Sequence, residues 1–213
     1  MIVHPAIEKY LQEISEPVHP VLQEMEALAT EKSFPIMGPL VGRLLYFLVE
    51  FGHIHHILEC GSGFGYSALW MALALPENGN ITCIESDPQN IELAKSFFEQ
   101  AGQLHKVTFI ENDALAVLKS LSGTYDMIVN DIHKEQYPDS LPLILPRLRV
   151  GGILVTDNLL WKGEVANPDS TDSKVPFIKK YNSLLFNTPE LFSTILPLRD
   201  GVGLSIKLQL KSE

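Results

Sequence analysis

Two pairs of polar residues stand where apolar stretches end. In YDMIVNDIHKEQYP, residues 125–138, Asp131 closes an apolar run and Lys134 follows three positions later. In VGGILVTDNLLWKG, residues 150–163, Asp157 and Asn158 close another, with Trp161 and Lys162 just beyond. Two carboxylates and an amide oxygen brought to one sheet edge repel one another unless a cation joins them. Such all-oxygen donors suit Mg²⁺, Ca²⁺ or Mn²⁺, and zinc is disfavoured because the set lacks cysteine. A lysine beside a cation in a partly buried cleft loses proton affinity, which makes Lys134 a candidate general base.

A second constellation begins at LECGSGFGYSA, residues 58–68. Gly61, Gly63 and Gly65 permit a tight turn and a close backbone approach to a ligand. Glu85 stands twenty residues past Gly65, where a carboxylate can accept hydrogen bonds from ribose hydroxyls. A dinucleotide loop needs G-x-G-x-x-G; here the third glycine comes one position early, and Tyr66 holds the expected place. Glu59 would repel a pyrophosphate, yet it suits the sulfonium and ammonium of S-adenosylmethionine (SAM). In ENDALAVL, Asp113 and Ala114 follow a further apolar stretch and are placed to approach an adenine ring, although Asp113 is equally suited to capping the next helix.

These residues need a scaffold that carries them to one edge. Apolar runs at 55–61, 80–87, 106–113, 125–131 and 153–158 alternate with helical segments, the pattern of an α/β fold with a mostly parallel sheet. Ligands in such folds bind beyond the C-terminal ends of the strands, where every candidate above lies. Residues 4–51 read as helices, with Ile7, Leu11 and Ile14 at helical spacing and Phe47 and Phe51 as core packing. LFSTILPLRDGVGLSIKLQL reads as two strands around RDGVG, an antiparallel hairpin closing one edge. The polar segment 162–176, KGEVANPDSTDSKVP, is expected to be a mobile lid. We read 1–213 as one domain, with a helical cap at 1–52 and a Rossmann-like core at 53–213.

Composition bounds the function. The net charge of −10, without a Lys/Arg cluster, argues against a nucleic-acid binder. Cys60 and Cys83 lie in apolar stretches and are expected to be reduced thiols, which fits a cytoplasmic protein. The first residues lack a signal-peptide core and no run reaches membrane-spanning length, so no membrane partner is expected.

Taken together, LECGSGFGYSA, CIESD, NDAL, YDMIVNDIHKEQY and VGGILVTDNLLWKG resemble the cation-dependent class I O-methyltransferases, which include catechol and caffeoyl-CoA O-methyltransferases. The resemblance runs from about Phe34 to Leu208. It implies a seven-stranded, mostly parallel sheet with a reversed C-terminal hairpin and extra N-terminal helices. It also implies a metal held by Asp131, Asp157 and Asn158, Lys134 as base, and SAM lined by Glu59, Gly61, Ser62, Ser67, Glu85 and Ala114, with Met37 contributing from an earlier loop. The expected reaction is methyl transfer to a hydroxyl of a catechol-like vicinal diol, a phenolic small molecule, with Trp161 as a wall for its ring. A homodimer is expected, in contact through the apolar N-terminal helices. His133, Asn130 and Lys162 depart from the caffeoyl-CoA pattern, at cofactor and substrate contacts. The competing readings are an NAD-dependent oxidoreductase and a non-catalytic SAM-binding protein.

Overall fold

Period-two alternation in the strands explains the layering. In the computed structural model, which describes residues 2–210, the first strand, β1 (His56–Cys60), sends Ile57 to one apolar cluster and Leu58 and Cys60 to the other. The second, β2 (Asn80–Glu85), divides Ile81 and Cys83 from Ile84 in the same way, and β4 (Tyr125–Asn130) divides Met127 and Val129 from Ile128. Both faces of the sheet are therefore covered, which is why its strands are apolar throughout.

Helices α2 (Pro20–Glu31), α3 (Pro39–Phe51), α4 (Tyr66–Ala74) and α5 (Pro88–Gln100) pack on one face. Helices α6 (Ala114–Ser120), α7 (Tyr137–Ile144) and α8 (Val175–Asn187) pack on the other. Proline at the first turn starts α2, α3 and α5, where a missing N–H costs nothing. With β3 (Val107–Glu111), β5 (Leu148–Thr156), β6 (Leu191–Leu196) and β7 (Val202–Lys207), the sheet has seven strands in the order β3-β2-β1-β4-β5-β7-β6. Neighbours from β3 to β5 run parallel; β7 is antiparallel to both β5 and β6. The strand order reverses between β1 and β4, and a crevice forms there beyond the strand ends.

Two expectations are corrected. Strand β5 starts at Leu148, not Ile153: it pairs Tyr125 with Leu148 and shifts register before Met127, and Gly151 takes a left-handed φ of 75°. Phe47 and Phe51 are not core residues; they stack on each other at 5.6 Å and are 59% and 73% exposed. They share this exposure with Ile7, Tyr10 and Ile14, on or just past the first helix, α1 (Pro5–Glu13), which has no buried residue. Helical periodicity shows that a face is apolar, not what covers it. The segment 162–176 overlaps a 3-10 turn at Trp161–Ala166 and the start of α8 at Val175.

Candidate active site

At the crevice lies a cavity of about 1010 Å³. The glycine loop, between β1 and α4, forms its floor. The N–H groups of Gly61 and Ser62 donate to the Ile84 carbonyl, which draws the loop against β2. Gly61 has φ +82, and a Cβ there would lie 2.5 Å from the Asp131 carbonyl oxygen. Only glycine fits between the loop and the end of β4.

Glu85 braces the same loop. Its Oε2 accepts from Gly63 N–H at 2.8 Å, and its Oε1 accepts from Ser86 and Asp87 N–H, both at 2.9 Å. A carboxylate has about four lone-pair directions, so capacity for hydroxyl donors remains. Asp113 does cap α6, accepting from Ala116 N–H at 2.9 Å, and its other oxygen accepts from Gln136 Nε2 at 3.0 Å. Met37, Gly61, Ser62, Gly63, Ser67, Glu85, Asp113 and Ala114 all line the cavity.

Glu59 is the exception. It is fully buried and does not line the cavity. Leu58 and Cys60 face α6 and α7, so alternation turns Glu59 to the opposite side, where Cys83 Sγ donates to its Oε2 at 3.8 Å. Oε1 has no hydrogen-bond partner, and burial pushes the carboxyl up to about 8. The structure gives Glu59 a place beneath the loop, where Ser67, a cavity-lining residue, acts on its carboxyl.

Asp131, Lys134, Asp157, Asn158, Trp161 and Lys162 line the other half of the cavity. Strands β4 and β5 pair Asn130 with Thr156, so the next residues, Asp131 and Asp157, emerge side by side. Lys134 Nζ donates to Asp131 Oδ1 at 2.5 Å and to the Ile132 carbonyl at 3.2 Å. Asp157 is only 5% exposed, and its Oδ1 has no hydrogen-bond partner. Burial, followed by the field of Asp131, pushes its carboxyl up to about 7.

A buried, unpartnered carboxylate oxygen beside a second carboxylate is costly unless a cation meets it. The amide nitrogen of Asn158 turns to Asp200 Oδ2 at 3.5 Å, leaving the amide oxygen as the donor for an ion. The residues therefore fit a hard divalent cation. The set has only two carboxylates; among the described residues no group of three or more His, Cys, Asp or Glu could hold an ion.

The sequence profile of the O-methyltransferase family matches residues 12–208. The chain belongs to that family. It is 32% identical to the flavonoid 3',5'-methyltransferase of Vitis vinifera, over 95% of this chain and 94% of that one. With the catechol O-methyltransferase of Niastella koreensis it shares 31% identity, over 80% and 81% of the two chains. The O-methyltransferase TomG of Streptomyces achromogenes, solved in complex with SAM, superposes with a TM-score of 0.87 at 26% identity, covering 96% of each chain. The protein is thus a SAM-dependent O-methyltransferase of the catechol and caffeoyl-CoA type, which sets aside the oxidoreductase reading. Among the described residues no helix is long and apolar enough to cross a membrane.

Some residues of this O-methyltransferase had no signal in the sequence. Asp200, on the β6–β7 turn, accepts from Lys162 N–H at 2.6 Å through its side chain, and from Leu160 and Trp161 N–H through its carbonyl. It thereby holds Trp161 and Lys162 in left-handed conformations, φ 44° and 56°, which non-glycine residues rarely adopt. Trp161 Nε1 donates to Asp172 at 2.8 Å, and Lys174 Nζ lies 5.2 Å from the Trp161 ring centre. Tyr137 packs beneath the carboxylates. The DG of RDGVG marks a turn and says nothing of the partners its aspartate finds 38 and 42 residues away.

Proposed function

We propose that this O-methyltransferase requires a divalent cation, with Mg²⁺ first among the candidates, and methylates one hydroxyl of a vicinal diol on an aromatic ring. The observation that carries the reading is the pairing of Asp131 with the partnerless Asp157 carboxylate, beside Asn158 and Lys134, in one cavity with the glycine loop. Asp131, Asp157 and Asn158 would hold the ion, and a bound divalent ion lowers the pKa of a hydroxyl coordinated to it. Lys134 Nζ, in its neutral form, takes the proton of the hydroxyl to be methylated. The acceptor oxygen then bonds to the methyl carbon as the carbon–sulfur bond of SAM breaks, and the electron pair leaves with S-adenosylhomocysteine.

The chain's own part is largely positioning and charge. Glu85 and the glycine loop present the donor, Trp161 walls the ring, and Lys134 stands within reach of the site. The same reading takes the chain as a homodimer in contact through the exposed α1–α3 face; a monomer by light scattering would remove that part.

The test is methyl transfer to a panel of catechols with and without EDTA. Turnover is expected to vanish with EDTA, to return with Mg²⁺, and to be absent in Asp157→Ala. Full turnover in EDTA would remove the metal from the reading.

A further inference from the structure

Three neighbouring strands end on a polar residue at one register position. Cys60 pairs with Asn130 across β1 and β4, and Asn130 with Thr156 across β4 and β5. All three are buried, on the side of the sheet that α7 and α8 cover. The next residues are Gly61, Asp131 and Asp157, so this row lies one step beneath the donor loop and both metal-type carboxylates.

The backbone ladder is uneven at that level. Asp131 N–H donates to the Cys60 carbonyl at 2.9 Å, whereas Asp157 N–H reaches the Asn130 carbonyl at 3.4 Å, longer than an ordinary bond of this kind. The separation of Asp131 from Asp157 therefore depends on side chains more than on the ladder.

Tyr181, on α8, supplies such a tie. Its hydroxyl lies 3.0 Å from Thr156 Oγ1 and 3.4 Å from Asn130 Nδ2, and so meets both strands. Asn130 Nδ2 also donates to Ser140 Oγ at 3.0 Å, and Ser140 Oγ to the Tyr137 carbonyl at 2.8 Å, which anchors the end of β4 to α7. The rings of Tyr137 and Tyr181 pack at 5.1 Å and join the two helices. The residue after Tyr181 acts on the same turn, since Asn182 Nδ2 donates to the Leu159 carbonyl at 2.9 Å. Helix α8 thus grips Thr156 and Leu159, the residues on either side of Asp157 and Asn158.

Burying this row has a cost. Asn130 Oδ1 has no hydrogen-bond partner among the described residues, and a buried orphan is less favourable than an apolar side chain of the same shape. Stability alone gives no reason for these groups; their place beneath the site does.

Resting on the divalent-cation reading above, we propose that Tyr181 is a positioning residue for the metal-type carboxylates: by holding Thr156 beside Asn130, its hydroxyl sets where Asp157 stands relative to Asp131. Tyr181 does not line the cavity and acts through Thr156.

The experiment uses Tyr181→Phe, Thr156→Val and the double variant. It measures Mg²⁺ affinity by calorimetry with S-adenosylhomocysteine bound, affinity for S-adenosylhomocysteine without metal, and Tm. Each single variant leaves a buried hydroxyl short of a partner, so Tm should fall in both. In the double variant both partners are apolar and nearly unchanged in shape, so most of that loss should be recovered. Mg²⁺ affinity should fall about ten-fold in all three and stay low in the double variant, with affinity for S-adenosylhomocysteine changed about two-fold or less. Mg²⁺ affinity that recovers along with Tm in the double variant, or that equals the wild type in Tyr181→Phe, overturns the proposal, because the hydroxyl is then structural only. Where a variant stays destabilised, a fall for Mg²⁺ without one for S-adenosylhomocysteine still supports it, and equal falls overturn it. Wild-type protein that binds S-adenosylhomocysteine but no Mg²⁺ removes the divalent-cation reading and this inference with it.

Discussion

The Tyr137 hydroxyl donates to the backbone carbonyl of Asp157 at 2.9 Å. The same hydroxyl lies 3.5 Å from the Asn130 carbonyl, and the ring lies 4.9 Å from Lys134 Nζ. One buried side chain thus ties together the ends of β4 and β5 and supports the proposed base. Tyr137→Phe keeps the ring and removes the tie. Leaving a buried carbonyl short of a donor costs about 1–3 kcal/mol, part of which should appear as weaker metal binding. We expect Mg²⁺ affinity, measured by calorimetry with S-adenosylhomocysteine bound, to fall about five-fold, while affinity for S-adenosylhomocysteine itself is unchanged. Equal losses in both affinities would mean general loosening rather than positioning.

Asp200 makes a separable contribution. Its carbonyl contacts with Leu160 and Trp161 survive substitution by alanine, but its carboxylate contacts with Lys162 N–H and Asn158 Nδ2 do not. Left-handed conformations at non-glycine residues cost about 1–2 kcal/mol each, so the turn at Trp161 and Lys162 should relax once the carboxylate is gone. Asp200→Ala should raise KM for the diol about ten-fold, with a smaller effect on affinity for S-adenosylhomocysteine. Wild-type acceptor kinetics in this variant would show that the turn holds without its clamp.

What the sequence made legible follows from the range over which its signals act. The glycine loop, Asp131 with Lys134, and Asp157 with Asn158 could be read because each is local and sits at the end of an apolar strand. Neighbouring strands then had to bring them together. Tyr137 and Asp200 were invisible because their contacts span 20 and 42 residues and depend on how α7 and the β6–β7 turn dock. Phe47 and Phe51 misled because apolar character does not distinguish a core from an exposed face. Glu59 was legible with the loop it leads into, and strand alternation between Leu58 and Cys60 turns it to the face beneath that loop.

That placement gives Glu59 a pH signature. Its carboxyl rises from 4.5 to about 8, chiefly through burial, so the folded state keeps the proton that the unfolded chain releases. A raised acid stabilises the fold fully below its unfolded value, and that stability is lost as pH rises through the folded value. Each tenfold gain in proton affinity on folding corresponds to about 1.4 kcal/mol, so a loss on the order of a few kcal/mol is expected between pH 4.5 and 8. Glu59→Gln cannot ionise. In urea unfolding the variant should lose markedly less stability than wild type across that window, whereas parallel curves would show that Glu59 ionises freely in the fold.

Gly61 couples the two halves of the site through the backbone. Asp131 N–H donates to the Cys60 carbonyl at 2.9 Å, and the Asp131 carbonyl occupies the space a Cβ on Gly61 would need. Gly61→Ala must therefore displace either the donor loop or the end of β4, and backbone on both sides cannot yield as a side-chain tip would. The left-handed φ adds about 1 kcal/mol of its own. Gly102→Ala is the matched control, because Gly102 is also left-handed at φ +67 but has nothing within 4 Å of where a Cβ would stand. Both variants should lose stability from the backbone strain. Only Gly61→Ala should also weaken S-adenosylhomocysteine and Mg²⁺ together, each about ten-fold or more. Were Gly61→Ala to bind Mg²⁺ as the wild type does, the loop and the metal-type carboxylates would be independent despite their contact.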